Sequence, residues 1–299
     1  MNEVIASKPV GIILSSLAPG GAERVMINFA NHLVSSGVPV TLVVLKNNLT
    51  LAGLVDSRIK QQYYCCTSQF ECFYRLKNIL EVSDFRAVYT TMFHINVIVL
   101  AVKMMTSTPT PIIVREANTL SVELRNLGVV KRIIYSVLIP FFYRRAHSII
   151  AVSAGVGEDL VKRLGINSKL IKVVLNPVTV PQTSPRIKGA RPLKLIAVGR
   201  LEKQKDFETL LRAVHIVSTK CALELDILGE GSLKGKLIAL AYELGIHDQV
   251  RFLGRVDNVY KHFANADIYV LSSIYEGCPN SLLEAIACGV NVVATDCPS

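Results

Sequence analysis

Short runs of aliphatic and β-branched residues alternate with longer apolar or amphipathic stretches along the whole chain. Val10 to Leu14, Val40 to Leu45, Ala87 to Thr91, Ile112 to Val114 and Ser148 to Val152 predict strands, with helices such as Ala22 to Ser35 and Val129 to Arg145 between them. None of these strands shows the polar alternation of a half-exposed sheet. Both faces are therefore expected to be buried, which means a parallel, doubly wound α/β sheet. After Ile171 to Leu175 the sequence turns to Asn176-Pro177 and then to Pro181, Pro185, Gly189 and Pro192, a linker pattern. A second set of the same kind follows, with strands at Leu193 to Val198, Leu223 to Leu228, Val250 to Leu253, Ile268 to Leu271 and Val290 to Thr295. Helices are predicted near Phe207 to Ser218, Leu233 to Leu244 and Pro279 to Cys288. The expected organisation is thus a Rossmann-like domain over 1–178, a linker over 179–192 and a second Rossmann-like domain over 193–299. Two such domains facing each other place a ligand site beyond the carboxyl ends of their strands, in the intervening cleft.

A length of 299 residues with 51% hydrophobic composition suits two domains with full cores. The longest apolar runs, Ile133 to Tyr143 and Ile95 to Met105, are shorter than the ~20 residues of a membrane-spanning helix. Pro9 to Ala18 resembles the apolar part of a signal peptide, yet the turn Pro19-Gly20-Gly21-Ala22 follows it and a first buried strand is the expectation. The seven cysteines show no metal-site spacing, so reduced thiols in a cytoplasmic protein are expected, with Cys65, Cys66 and Cys72 as surface thiols. A formal net charge of +10 favours anionic partners such as nucleic acid, an acidic membrane face or phosphorylated ligands.

The strongest local signal is Glu276-Gly277-Cys278-Pro279-Asn280-Ser281-Leu282-Leu283-Glu284, placed directly after a predicted strand. Pro279 suits a first helical turn, which sets Glu276 in the loop and Glu284 about two turns later. The two carboxylates then border one pocket, with a helix start between them as an anion site. Gly199-Arg200-Leu201-Glu202-Lys203-Gln204-Lys205 follows another strand end. There Arg200 and Lys205 are positioned to neutralise the charge that develops on a diphosphate leaving group. The chain has no Asp-x-Asp pair to hold a metal bridge to phosphates, and no metal or other cofactor is expected.

Together these motifs resemble the retaining glycosyltransferases of family four, which share the GT-B fold. The resemblance runs from Pro19-Gly20-Gly21-Ala22-Glu23-Arg24 through Ala151-Val152-Ser153, Asn176-Pro177, Gly199-Arg200 with Lys205, Leu228-Gly229-Glu230-Gly231, Phe252-Leu253-Gly254 and Ala266-Asp267 to Glu276–Gly289. It implies an acceptor-side first domain and a second domain that binds a nucleotide-diphosphate sugar, with UDP favoured over GDP as the carrier and the base left open. It also implies transfer of a hexose or N-acetylhexosamine, with retained configuration, to a polysaccharide or lipid-linked glycan. Arg200 and Lys205 would bind the diphosphate next to Gly199. Glu284 would hold the ribose, while Glu276 and the backbone of Gly277, Cys278, Pro279 and Asn280 address the sugar. Gly20 and Gly21 would allow close approach to the donor, and Arg255-Val256 would support the base. No covalent nucleophile is required.

Two departures stand out. Where many members carry a histidine after the strand corresponding to Ile112 to Val114, this chain reads Arg115-Glu116-Ala117-Asn118, so Glu116, Asn118 or His94 is the candidate sugar or acceptor contact. The chain also stops at Ser299, where the family continues, and a truncated second domain is the expectation. The segment Lys131-Arg132, Ile133 to Tyr143, Arg144-Arg145 has two readings, a helix lying on the inner, anionic face of the cytoplasmic membrane or a buried helix with charged ends. The second is preferred on composition. A nicotinamide dehydrogenase is excluded by the missing G-x-G-x-x-G, and a nucleic-acid binder by scattered basic residues without an aromatic stripe. A catalytically silent nucleotide-sugar-binding remnant stays open as the competing function.

Overall fold

A computed structural model describes residues 8–178 and 192–298, so the linker expected over 179–192 lies outside the described residues except for Pro192. The chain divides into two compact units, the first ending at Asn176 and the second running from Pro177 to Pro298.

In the first unit, strands β1 (Val10–Leu14), β2 (Val40–Val44), β3 (Lys60–Tyr63), β4 (Ala87–Thr91), β5 (Ile112–Glu116), β6 (Ser148–Ala151) and β7 (Ile171–Val173) form one sheet. Its order is β3-β2-β1-β4-β5-β6-β7 and every pairing is parallel. The crossovers carry α1 (Gly21–Ser35), α2 (Gln69–Val82), α3 (Phe93–Met105), α4 (Leu120–Arg125), α5 (Val129–Tyr143) and α6 (Ala154–Lys162). The aliphatic side chains of β1 and β2 are buried along their full length, and Met26, Ile27 and Ala30 of α1 close one face over Ile12, Leu14, Leu42 and Val44. β3 was not expected from the sequence. Its Lys-Gln-Gln-Tyr sits at the sheet edge, where one side stays wet and no apolar run is needed.

The second unit holds β8 (Leu193–Val198), β9 (Leu223–Leu228), β10 (Val250–Gly254), β11 (Ile268–Leu271) and β12 (Asn291–Ala294) in the parallel order β10-β9-β8-β11-β12. Helices α7 (Phe207–Ser218), α8 (Lys234–Glu243), α9 (Val259–Phe263) and α10 (Asn280–Ala287) complete it. Two core clusters flank this sheet, one under α7 and α8 around Leu211, Leu225 and Ile227, the other under α9 and α10 around Phe263, Tyr269 and Ala285.

Strand order matters most for function. The chain lays down β8, β9 and β10 outward in one direction, then returns to start β11 beside β8. The helices that follow β8 and β11 therefore pack into different core clusters, and the strand order reverses between these two strands, the point where open sheets of this kind take ligands at their carboxyl ends. The first unit has the same reversal between β1 and β4.

Two expectations are corrected here. Cys65 is exposed, but Cys66 and Cys72 are buried, and burial with the neighbouring Cys72 pushes the Cys66 thiol up to about 12. The second correction concerns α5. It packs chiefly on α3 and α4, not on the sheet, and only Ile139 and Tyr143 are buried. An outer helix has one covered side, so most of its apolar residues face solvent, contrary to the buried helix expected from composition.

Candidate active site

The loop after β8 and the loop after β11 are tied together by hydrogen bonds at the switch point. Ser281 Oγ, in the first turn of α10, donates to the Val198 carbonyl at 3.3 Å and lies 2.7 Å from the Tyr269 hydroxyl. The Ile274 amide donates to the Gln204 carbonyl, Gln204 Nε2 donates to the Tyr275 carbonyl, and Ser272 Oγ donates to the Lys205 carbonyl. These bonds fix the side chains that follow. Lys205 Nζ reaches Glu276 Oε1 at 2.5 Å, and Ser273 Oγ donates to the same oxygen at 2.6 Å. The side chains of Lys205 and Glu276 are only 14% and 7% exposed, so the pair is shielded from bulk water. Arg200 remains exposed, with Nη2 donating to Gln204 Oε1 at 3.3 Å.

Glycines let neighbouring strand tips come close to this point. A Cβ at Gly229, whose φ is +138°, would collide with the Gly199 carbonyl oxygen, and one at Gly231 would collide with the Leu201 carbonyl. The Leu201 amide in turn donates to the Glu230 carbonyl, and the Gly229 amide to the Gly254 carbonyl. The tips of β8, β9 and β10 thereby form one platform, with Arg255 exposed and Val256 half-buried directly after it. On the other side, Gly277 is buried and Cys278, Pro279 and Asn280 are half-buried at the start of α10, with Glu284 half-buried one turn further on. Burial chiefly, and then the charges of Glu276 and Glu284, push the Tyr269 phenol above its usual range, so both carboxylates act on one phenol. The sequence-predicted groups of the second unit lie on the segments that follow the carboxyl ends of β8, β10 and β11, with Asn280 and Glu284 in the first turns of α10. Ser272, Ser273 and Gln204, which orient Lys205 and Glu276, were missed, because a serine pair after a strand carries no motif of its own.

In the first unit Gly20 is the N-cap of α1, with Gly21 as its first residue. The Glu23 carboxylate lies directly over Gly20, where a Cβ would meet it. His94 lies in the first turn of α3 beyond the tip of β4 and is half-buried. Burial, with help from the Lys46 charge, lowers its pKa to about 4, so the imidazole is neutral at pH 7. Asn118 is half-buried after β5.

Glu116 differs from expectation. It is 2% exposed and turned into the interior, accepting from Asn96 Nδ2 at 2.7 Å and from the Tyr143 hydroxyl. A carboxyl so enclosed ties β5 to α3 and α5 and leaves no face for a sugar. Burial raises its pKa from 4.5 to about 8, so the folded protein holds a proton that the unfolded chain releases. Stability from this group is complete below about pH 4.5 and is lost as pH rises toward 8. Glu116→Gln keeps an acceptor for both partners without the titration. Its urea stability is expected to fall less between pH 5 and pH 8 than that of the parent, by up to about 1.4 kcal/mol per pH unit. Parallel pH profiles for the two proteins would show that Glu116 does not titrate in this window.

Solved structures share this architecture. Lipopolysaccharide outer core galactosyltransferase WaaB in its apo form matches 97% of the chain and 81% of its own, with a TM-score of 0.70 and 23% identity. Anabaena Alr3699/HepE in complex with UDP and glucose matches 97% and 81%, with a TM-score of 0.78 and 16% identity. Two parallel Rossmann-like units of this kind define the GT-B fold class. The family model for Glycosyltransferase Family 4 matches residues 19–180, and that for Glycosyl transferases group 1 matches residues 184–299. The chain belongs to Glycosyltransferase Family 4.

Among curated relatives, a Campylobacter jejuni N-acetylgalactosamine-N,N'-diacetylbacillosaminyl-diphospho-undecaprenol 4-alpha-N-acetylgalactosaminyltransferase is 29% identical, covering 96% of this chain and 80% of the relative. A Salmonella typhimurium lipopolysaccharide 1,6-galactosyltransferase is 33% identical over 50% of this chain and 43% of its own length.

Proposed function

We propose that this chain transfers a hexose or N-acetylhexosamine from a UDP-sugar to a lipid-linked or lipopolysaccharide glycan, with retention of anomeric configuration. The observation that carries this reading is the convergence of Lys205, Glu276 and the start of α10 at the β8/β11 switch point. The relatives' names point to such acceptors, and structural neighbours of the same fold were solved with UDP.

In this reading the diphosphate lies along the loop after β8. Lys205 has three ammonium protons and keeps one on Glu276 while offering others to the β-phosphate, and Arg200 neutralises its outer oxygens. Negative charge grows on that phosphate as the glycosidic bond breaks, so cations held in place beforehand lower the barrier. Glu276, fixed by Ser273, accepts from sugar hydroxyls together with the backbone that follows it, and Glu284 holds the ribose. The leaving phosphate takes the acceptor proton on the same face, which accounts for retention without a covalent nucleophile. The protein's own cations do the work of a metal here. Incubation with UDP-sugars and an undecaprenyl-linked or lipopolysaccharide-core acceptor is expected to release UDP at a rate unchanged by EDTA. Donor binding without release in any acceptor mixture would favour a binding remnant, and loss of release in EDTA, restored by magnesium, would refute the metal-free reading.

A further inference from the structure

The exposed face of α5 is not used by the donor site. Val129, Ile133, Val137 and Phe141 recur every four residues, with Val130 and Ile134 beside them, and all six are exposed, Val130 at 71% and Val137 at 65%. At 100° per residue they fill one contiguous arc of about 140°, and the buried Ile139 and Tyr143 fall outside it. Cations bracket this stripe. Lys131 and Arg132 lie in its first turn, and Arg144 and Arg145 directly follow its last, all of them exposed. The Arg145 guanidinium stands 4.0 Å over the Phe141 ring. Between Glu123 and Glu158 the chain has no acidic residue, whereas Arg125, Lys131, Arg132, Arg144 and Arg145 are all basic.

We propose that α5 lies flat on an anionic lipid bilayer, its apolar arc among the acyl chains near the headgroups and its flanking cations on the lipid phosphates. Charge complementarity selects this occupant, since an apolar stripe bracketed by cations, in a stretch without acidic residues, suits a negative surface. The helix has 15 residues, about 22 Å at 1.5 Å per residue, and no helix among the described residues is long and apolar enough to cross a membrane. Its last residue, Tyr143, bonds to Glu116 at the tip of β5 and to Asn96 of α3. That buried clamp holds the carboxyl end of β5 at a set distance from the lipid surface.

Flotation of the full chain with phosphatidylcholine vesicles, with and without about one quarter phosphatidylglycerol, tests this. Binding is expected only to the anionic vesicles and is expected to weaken in high salt. Lys131→Ala with Arg132→Ala is expected to lower partitioning about 30-fold, at about 1 kcal/mol for each cation removed. Ile133→Ser with Val137→Ser, both at exposed positions, is expected to lower it at least tenfold with circular dichroism unchanged. Equal binding to neutral vesicles, variants that float like the parent, or a dimer in ultracentrifugation that the serine pair dissociates would each overturn the proposal. The readout needs no donor, so failure here leaves the donor site untouched, and a failed donor assay does not bear on the vesicles.

Discussion

Lys205→Met is expected to abolish measurable transfer, with turnover down at least a hundredfold, and to lower stability by about 3 kcal/mol. The first effect follows from removing a preorganised cation beside the leaving phosphate, a loss of about 100- to 1,000-fold in comparable sites. The second follows from leaving Glu276 as a buried charge, because breaking one partner out of a buried pair costs about 3–5 kcal/mol. Ser273 still donates to that carboxylate and keeps the cost at the lower end. The two effects separate in a double variant. Lys205→Met with Glu276→Gln removes both charges, and urea unfolding should return to within about 1 kcal/mol of the parent while turnover stays lost. Recovery of turnover together with stability would mean that Lys205 acts through folding alone.

Gly229→Ala is expected to destabilise the second unit by about 3 kcal/mol or more and to weaken donor binding with it. The new methyl group would overlap the Gly199 carbonyl, and a φ of +138° strains any side chain by about 1–3 kcal/mol in addition. Relief requires the Gly199-Arg200 segment to move, and the cation on it moves too. Gly235→Ala is the control, since nothing lies within 4 Å of its added carbon and the site is helical. That variant should be neutral or slightly stabilising. Equal denaturant midpoints for the two variants would remove the steric argument.

The fold was legible where one physical effect dominated. Fully buried strands such as Val10–Leu14 and Val40–Val44 announce themselves by unbroken aliphatic runs, whereas the order that sets β11 beside β8 is visible only in the folded sheet. The edge strand Lys60–Tyr63 carried no such signal, because an edge needs no apolar pattern. α5 was misread for the opposite reason: its composition is that of a core helix, and only its packing on other helices reveals that the apolar face is left open. At the site, Arg200, Lys205, Glu276 and Glu284 were candidates from spacing and resemblance, and the structure places all four after β8 and β11, with Lys205 bonded to Glu276. Glu116 misled because a carboxylate after a strand reads as a contact group, whereas its partners Asn96 and Tyr143 lie 20 and 27 residues away. Ser273 went unseen because it works only through Glu276.

The donor site is tested most directly by calorimetric titration of UDP into the parent protein, Arg200→Ala and Glu284→Ala. Arg200 is exposed and Glu284 half-buried, so both variants are expected to fold. The parent should bind UDP, and each variant should bind at least tenfold more weakly, about 1.4 kcal/mol. Binding by both variants as tight as by the parent would place the nucleotide somewhere other than the junction of the β8 and β11 loops.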